Sequence, residues 1–225
     1  MTSQEFTNRR QTGAEPTVKR IGLTGGIATG KSTVLQRWLS RGVPRPAVLD
    51  SDRLAHGTYL PGTATYAEIV QAFGTAILNP DGTVDRARLG ERVFAEESQR
   101  LALNRIVHPA VRRLWQAELA QLAAAGQTAF AVVAIPLLYE AGAEQEFDAV
   151  VAVGCSVATQ LARLTARGLS VDQAHARLNA QWPLPAKLDR ANFVIWNDGL
   201  PVVLEEQADM IWATLKETAH APSQN

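Results

Sequence analysis

The chain alternates between short apolar runs and longer stretches whose apolar residues recur at helical spacing. Five runs, at 18–23, 47–49, 129–135, 149–153 and 192–196, have the length and apolar character of buried strands. The third, Ala129-Phe-Ala-Val-Val-Ala-Ile135, is unbroken. Helical patterns fill the gaps, beginning with residues 32–41. Such alternation implies right-handed β–α–β crossovers and a parallel sheet with helices on both faces. Ligands in sheets of this kind bind at the carboxyl ends of the strands. The segments that follow the first three strands should therefore meet at one rim: residues 24–32, Asp50, and Pro136 to Glu140.

Two connections are longer than a crossover needs. The stretch 53–127 holds helical patterns at 65–73, 85–94, 99–107 and 109–125. The turn Asn79-Pro-Asp-Gly82 separates the first two, Asp85 is placed to cap the second, and Pro109 suits the first position of the last. In that last helix Val111, Leu114, Trp115, Leu119 and Leu122 form a stripe expected to pack. The second long connection, 157–190, carries Arg163, Arg167, Arg177 and Lys187, a composition suited to a helical lid over phosphates. The expected division is a core of 18–52, 128–156 and 191–218, a helical substrate-side insertion of 53–127, and a lid of 157–190. Residues 1–17 and 219–225 are polar and read as flexible extensions.

Composition narrows the partners. Of 225 residues, 46% are hydrophobic and 20% charged, and the formal net charge is +0, so no general basic field exists to hold nucleic acid. No apolar run approaches the ~20 residues that span a bilayer, and the first residues lack the apolar core of a secretory signal. Membrane association is therefore not expected. A single cysteine, Cys155, excludes an internal disulfide and suits a reducing compartment; a cytoplasmic protein is expected.

Residues 25–32 read Gly-Gly-Ile-Ala-Thr-Gly-Lys-Ser, an unbroken G-x-x-x-x-G-K-S between a strand and a helix. Glycines let backbone amides curl around an anion, and the helix N-terminus adds partial positive charge. Lys31 then reaches the β- and γ-phosphates of a nucleoside triphosphate, and the Ser32 hydroxyl can ligate Mg²⁺. Past the second strand stand Asp50 and Asp52, which an extended chain would direct to one side. The residues alone leave open whether these acids serve a substrate hydroxyl, hold Mg²⁺, or cap the following helix. The third strand ends at Ile135 without the metal-binding aspartate of many phosphate-loop ATPases, which points to small-molecule kinases. A GTP-dependent switch is disfavoured. Its N-K-x-D string has only Ala186-Lys-Leu-Asp189 as a counterpart, and Asp50 begins no D-x-x-G.

The ordered set of motifs resembles the dephospho-CoA kinases. It comprises Gly22-Leu-Thr-Gly-Gly-Ile-Ala-Thr-Gly-Lys-Ser32, Asp50-Ser-Asp52, Asp81-Gly82 with Asp85-Arg86, His108-Pro109, and Pro136-Leu-Leu-Tyr-Glu140. Gln160 with Arg163 and Arg167, Arg177 with Gln181, and Asn192-Phe-Val-Ile-Trp-Asn-Asp-Gly199 continue it, over about residues 18–215. The resemblance implies transfer of the ATP γ-phosphate to the ribose 3′-hydroxyl of dephospho-CoA, the last step of coenzyme A synthesis. It also implies a nucleotide-kinase-like α/β fold: a five-stranded parallel sheet flanked by helices, a helical CoA insertion and a helical lid. Carried over residue by residue, Asp50 matches the catalytic base, with Lys31 and Arg167 as catalytic cations. Gly26, Ile27, Ala28, Thr29, Gly30, Lys31, Ser32 and Thr33 match the ATP loop, and Ser32 the Mg²⁺ position. Arg163 matches a lid arginine for ATP, while Asn197 and Gly199 would approach adenine. Asp52, Arg86, His108 and Leu138 would face dephospho-CoA.

The chain departs from that family at a few positions. Ala28-Thr29 stands where Gly-Ser is frequent, Ser51 where a smaller residue is usual, His56 for an arginine, and Asn192 for an acid. Ala28 requires a loop conformation that an L-residue can adopt. A kinase for a nucleoside or shikimate would share Lys31, Ser32 and an acid near Asp50. It has no reason to carry the His-Pro and Pro-Leu-Leu-Tyr-Glu segments.

Overall fold

The computed structural model describes residues 18–40, 44–126 and 128–220; the expected extension at 1–17 and the residues after 220 lie outside these. Five strands appear in chain order: β1 (Lys19–Gly25), β2 (Ala47–Asp50), β3 (Phe130–Ala134), β4 (Ala149–Gly154) and β5 (Phe193–Trp196). They form one sheet in the order β2-β3-β1-β4-β5 with every pair parallel. The chain leaves β1 for β2 on one side of the sheet and later crosses from β3 to β4 on the other. The switch in strand order therefore falls at the carboxyl end of β1, where a crevice opens.

Strand alternation sends neighbouring residues to opposite faces. Ile21, Leu23, Val132, Val151 and Val153 pack with Val34 and Trp38 of α1 (Lys31–Ser40) and with Leu204 and Trp212 of the last helix, Pro201–His220. Trp212 lies 5.4 Å from Trp38 and 5.2 Å from Phe130 between ring centres, and the buried Trp38 Nε1 donates to Ala208 O at 2.8 Å. On the other face Leu49, Ala131, Val133 and Val150 meet Ile69, Phe73, Leu89, Val111 and Trp115. These come from α3 (Ala64–Phe73), α4 (Arg86–Ala95) and α5 (Glu97–Ala125). The short α2 (Ser51–Thr58) leads into them directly from β2. Between β4 and β5 run α6 (Val157–Thr165), α7 (Val171–Asn179) and α8 (Leu184–Leu188); Pro201–His220 is α9.

The structure corrects several expectations. The helical patterns at 99–107 and 109–125 are one helix of 29 residues, α5, with Pro109 inside it. Proline forfeits the bond to the carbonyl four residues earlier and strains the turn, at about 3 kcal/mol. Burial of Val107, Ala110, Val111, Trp115 and Leu119 around it outweighs that loss. Leu114 of the expected stripe is 40% exposed, because the buried face follows Val111, Trp115 and Leu119 instead. β5 is not covered on both faces: as an edge strand it leaves Val194 and Trp196 nearly half exposed. Asp50 and Asp52 do not alternate along extended chain, because helix α2 begins at Ser51. The backbone of α9 continues to His220, past the point where a loose tail is expected at 219.

Candidate active site

β1 ends in the loop that the crevice demands. Gly25 has φ +138°, and a Cβ there would lie 2.1 Å from Val153 O, so no other residue fits. Gly30 has φ +106°, and its Cβ would lie 2.3 Å from Asn197 Nδ2. Between them Ala28 sits in the left-handed region at φ +59°, the conformation that its departure from glycine puts at issue. Helix α1 follows at once. The first amides of a helix have no intrahelical partner, so they face an anion together with the loop amides.

The loop's outward backbone groups are gripped by side chains far away in sequence. Gln160 Nε2 donates to Ile27 O at 2.7 Å, and Ile27 N donates to Gln181 Oε1 at 3.0 Å. Arg163 reaches Ala28 O at 3.1 Å and Asn197 O at 3.0 Å. Asn197 Nδ2 donates to Thr29 O at 2.8 Å, and the buried Thr29 hydroxyl closes the loop on Gly26 O at 2.9 Å. Lys31 Nζ folds back over the loop to Gly26 O at 2.7 Å. Burial lowers the Lys31 pKa to about 8; the Lys187 charge adds to this, and Asp52 opposes it.

Asp50 ends β2 and caps α2, its Oδ1 accepting from the amides of Asp52 at 2.9 Å and Arg53 at 3.3 Å. The cap fixes the carboxylate while Oδ2 receives no donor among the described residues. Capping and a chemical role are therefore compatible for this one residue. Asp52, two residues on, is pushed above the usual carboxylate range by burial first and by Asp50 second. Residues 27–32, Asp50, Asp52 and Arg167 line a cleft of about 470 Å³. A second cavity of about 290 Å³ adjoins it, walled by Tyr59, His108 and Trp115. Asp52, Leu103, Asn104, Pro136 and Leu137 line both.

Of the expected site residues, the structure gathers Ile27, Ala28, Thr29, Gly30, Lys31, Ser32, Asp50, Asp52 and Arg167 around one cleft and puts His108 in the adjoining cavity. Burial pushes the His108 pKa down against the pull of Glu140, which favours a neutral imidazole. Other residues fall elsewhere. Gly26 lies behind the loop, where its carbonyl takes Lys31, and Thr33 is in the first turn of α1 with its amide on Gly30 O. Arg163 and Asn197 hold the loop from outside and do not line the cleft. Gly199 is exposed in the turn after β5, also outside the lining. Arg86 is exposed, 3.4 Å from His56 Nδ1, and acts on Asp52 only through its charge. Leu138 has no exposed surface; its side chain is core, packed over Gly22, and the preceding Leu137 lines both cavities instead.

Sequence reasoning gave no role to several residues that matter here. Gln160 and Gln181 occur in the motifs, but their grip on Ile27 depends on the fold. Arg100 and Asn104 reach the cleft from α5, at positions that helical periodicity alone marks as ordinary surface. Lys187, expected with the arginines as a lid cation over phosphates, is instead buried away from the cleft lining. It has no exposed surface, and its Nζ lies 2.6 Å from Glu140 Oε1 and 3.0 Å from Pro136 O. Glu140 Oε1 also accepts from Trp182 N at 2.9 Å, so the pair ties α8 to the floor shared by both cavities.

A family model described as dephospho-CoA kinase matches residues 19–201. The chain is 48% identical over 197 residues to the dephospho-CoA kinase of Anaeromyxobacter dehalogenans, a match covering 87% of this chain and 92% of that one. The solved structure of dephospho-CoA kinase from Campylobacter jejuni is similar with a TM-score of 0.63 and 27% identity, over 88% of this chain and 98% of that one. A shikimate kinase from Acinetobacter baumannii is similar with a TM-score of 0.53 and 17% identity, over 92% and 97%, which speaks to the fold alone.

Proposed function

The chain belongs to the dephospho-CoA kinase family, and we propose that it moves the γ-phosphoryl group of ATP to the ribose 3′-hydroxyl of dephospho-CoA with Asp50 as base. One observation carries the assignment of roles. Lys31 and Asp50 line the same cleft, and a second, more apolar cavity opens from it at Asp52. ATP occupies the larger cleft with its phosphates in the loop, and dephospho-CoA occupies the smaller cavity. The hydroxyl loses its proton to Asp50 as its oxygen joins the γ-phosphorus, and the bond to ADP breaks. The transition state is loose, so position and charge neutralisation do most of the acceleration. Lys31 and Arg167 supply positive charge around the transferred group.

Ser32 stands exposed in the first turn of α1 on the cleft that Asp50 and Asp52 also line, a set of hard oxygen donors that fits Mg²⁺. Ser32, with the nucleotide's own phosphates, would hold the ion, which supplies neutralisation of the developing phosphate charge. No group of three or more acidic, histidine or cysteine side chains forms a protein-only metal cage among the described residues. Helices α3–α5 and all of α2 but its first two residues fall within 53–127, which serves as the CoA side, with 157–190 as the lid. Cys155 is a free buried thiol, in keeping with a cytoplasmic setting. Among the described residues no helix is long and apolar enough to cross a membrane.

The direct test measures ADP release with dephospho-CoA, with shikimate and nucleosides as control acceptors. Asp50→Asn keeps an oxygen for the α2 cap but removes the base. It should leave ATP binding intact and lower kcat by roughly 10²–10⁴. Unaltered turnover would remove Asp50 from the role.

A further inference from the structure

We propose that Asn104 decides which ribose hydroxyl is phosphorylated, by holding the neighbouring 2′-hydroxyl so that only the 3′-oxygen is presented to Asp50. The inference rests on the reading that dephospho-CoA is the acceptor.

The transferred group must cross between the two cavities, and five residues line both: Asp52, Leu103, Asn104, Pro136 and Leu137. Leu103, Pro136 and Leu137 present apolar side chains there. Asp52 and Asn104 are the two with polar side chains. A ribose offers a vicinal pair of hydroxyls of similar reactivity, so apolar walls alone do not tell them apart. Asp52 is an acid beside Asp50 and Lys31, whose charges act on it. It competes for a proton as a base would. The carboxamide of Asn104 is different: it both donates and accepts hydrogen bonds and carries no charge. That suits a hydroxyl which must be held without being activated.

Asn104 is also placed to hold something outside itself. It is partly exposed, and its side chain makes no hydrogen bond to protein among the described residues. Its backbone belongs to the 29-residue α5, fixed one turn on by the buried Val107. A rigid base with a free carboxamide is the arrangement expected of a positioning residue. His108, the next residue but three, points the same helix face into the smaller cavity. The acceptor therefore meets Asn104 between His108 and Asp50.

The test compares wild type and Asn104→Leu on dephospho-CoA and on its 2′-deoxy analogue, with the phosphate of each product located by coupled proton–phosphorus NMR. Wild type should give only the 3′-phosphate and lose roughly ten- to hundredfold in kcat/KM on the 2′-deoxy substrate. Asn104→Leu should lose a similar factor on dephospho-CoA, respond little to the missing 2′-hydroxyl, and release measurable 2′-phosphate. A merely structural role would lower both substrates equally and leave the product unchanged. The wild-type comparison stands independently of how the variant folds. If wild type ignores the 2′-hydroxyl, or the variant keeps full discrimination and makes only 3′-phosphate, the assignment of Asn104 fails alone. If wild type leaves dephospho-CoA unphosphorylated, the reading beneath it fails, and this inference with it.

Discussion

On the Lys31 side of the cleft, Gln160, Gln181, Arg163 and Asn197 grip the loop's backbone at 2.7–3.1 Å. On the His108 side the wall is the flank of α5, and the side chains of Asn104, His108 and Tyr59 make no hydrogen bond to protein among the described residues. One side is built from main chain held in place by side chains; the other is built from side chains held in place by helix packing. The difference follows from the two ligands. A triphosphate presents charge that is best met by dipoles already pointing at it, since dipoles that need no reorganisation stabilise most. An acceptor with a sugar and a long apolar arm is better met by shape, with a few polar groups left free to choose an orientation. Disturbing the first side should therefore weaken both fold and ATP binding, whereas disturbing the second should change acceptor handling with little cost in stability.

Arg163→Met breaks that contrast most sharply if it is wrong. The side chain spans Ala28 O and Asn197 O, so its loss leaves two carbonyls short of a charged donor. The expected cost is roughly 1.5–3 kcal/mol of stability, and a rise of about tenfold in KM for ATP. KM for dephospho-CoA should stay within about twofold. Thermal unfolding without nucleotide separates the two roles open to this arginine. A residue that only touched ATP would leave the unliganded melting temperature unchanged; a residue that holds the loop lowers it.

The contrast also explains what could be read from the sequence. The loop's lining was legible because its conformation is local: a strand, two glycines, a lysine and a helix within ten residues. Its grips were not, since Gln160, Arg163 and Gln181 bond to partners 133, 135 and 154 positions away. Asp50 is marked by its place after β2; that it shares a cleft with Asp52 comes from the first turn of α2, not from the extended chain expected between them. Leu138 and Leu137 show the limit of one-residue accuracy: adjacent side chains take opposite surroundings, and a motif does not say which is core. Lys187 was legible only as one more cation of the lid. Its burial is possible only because Glu140 and Pro136 O, about fifty residues earlier, meet it there.

The pH response should differ between the two sides as well. Lys31 titrates at about 8 in the free protein, because burial and Lys187 disfavour its charge. The protonated form binds phosphate, so kcat/KM for ATP should fall by up to about tenfold per unit as pH rises above 8. With ATP saturating, the bound phosphates favour the ammonium, and kcat/KM for dephospho-CoA should stay level beyond that point. The stability of the unliganded protein moves the opposite way. Between about 8 and the ordinary value of 10.5 the unfolded chain binds this proton and the folded chain does not, so the Lys31 contribution rises with pH across that window. Parallel profiles for the two substrates would erase the distinction between the sides.

The smallest expected effect comes from Ala28→Gly, and its sign is informative. Ala28 holds φ +59° in the middle of the gripped loop, where an L-residue costs roughly 1–2 kcal/mol. Glycine removes that strain but returns roughly 0.4–1 kcal/mol of chain entropy to the unfolded state. The balance is a gain of somewhat under 1 kcal/mol, or about 2 °C in melting temperature for a chain of this size. The carbonyl of Ala28 would still receive Arg163, so ATP affinity should scarcely change. If the grip rather than the residue sets the loop's conformation, the variant is slightly more stable and equally active. If Ala28 itself stiffens the loop, the added freedom of glycine shows instead as weaker ATP binding, and the cradle is less preorganised than its hydrogen bonds imply.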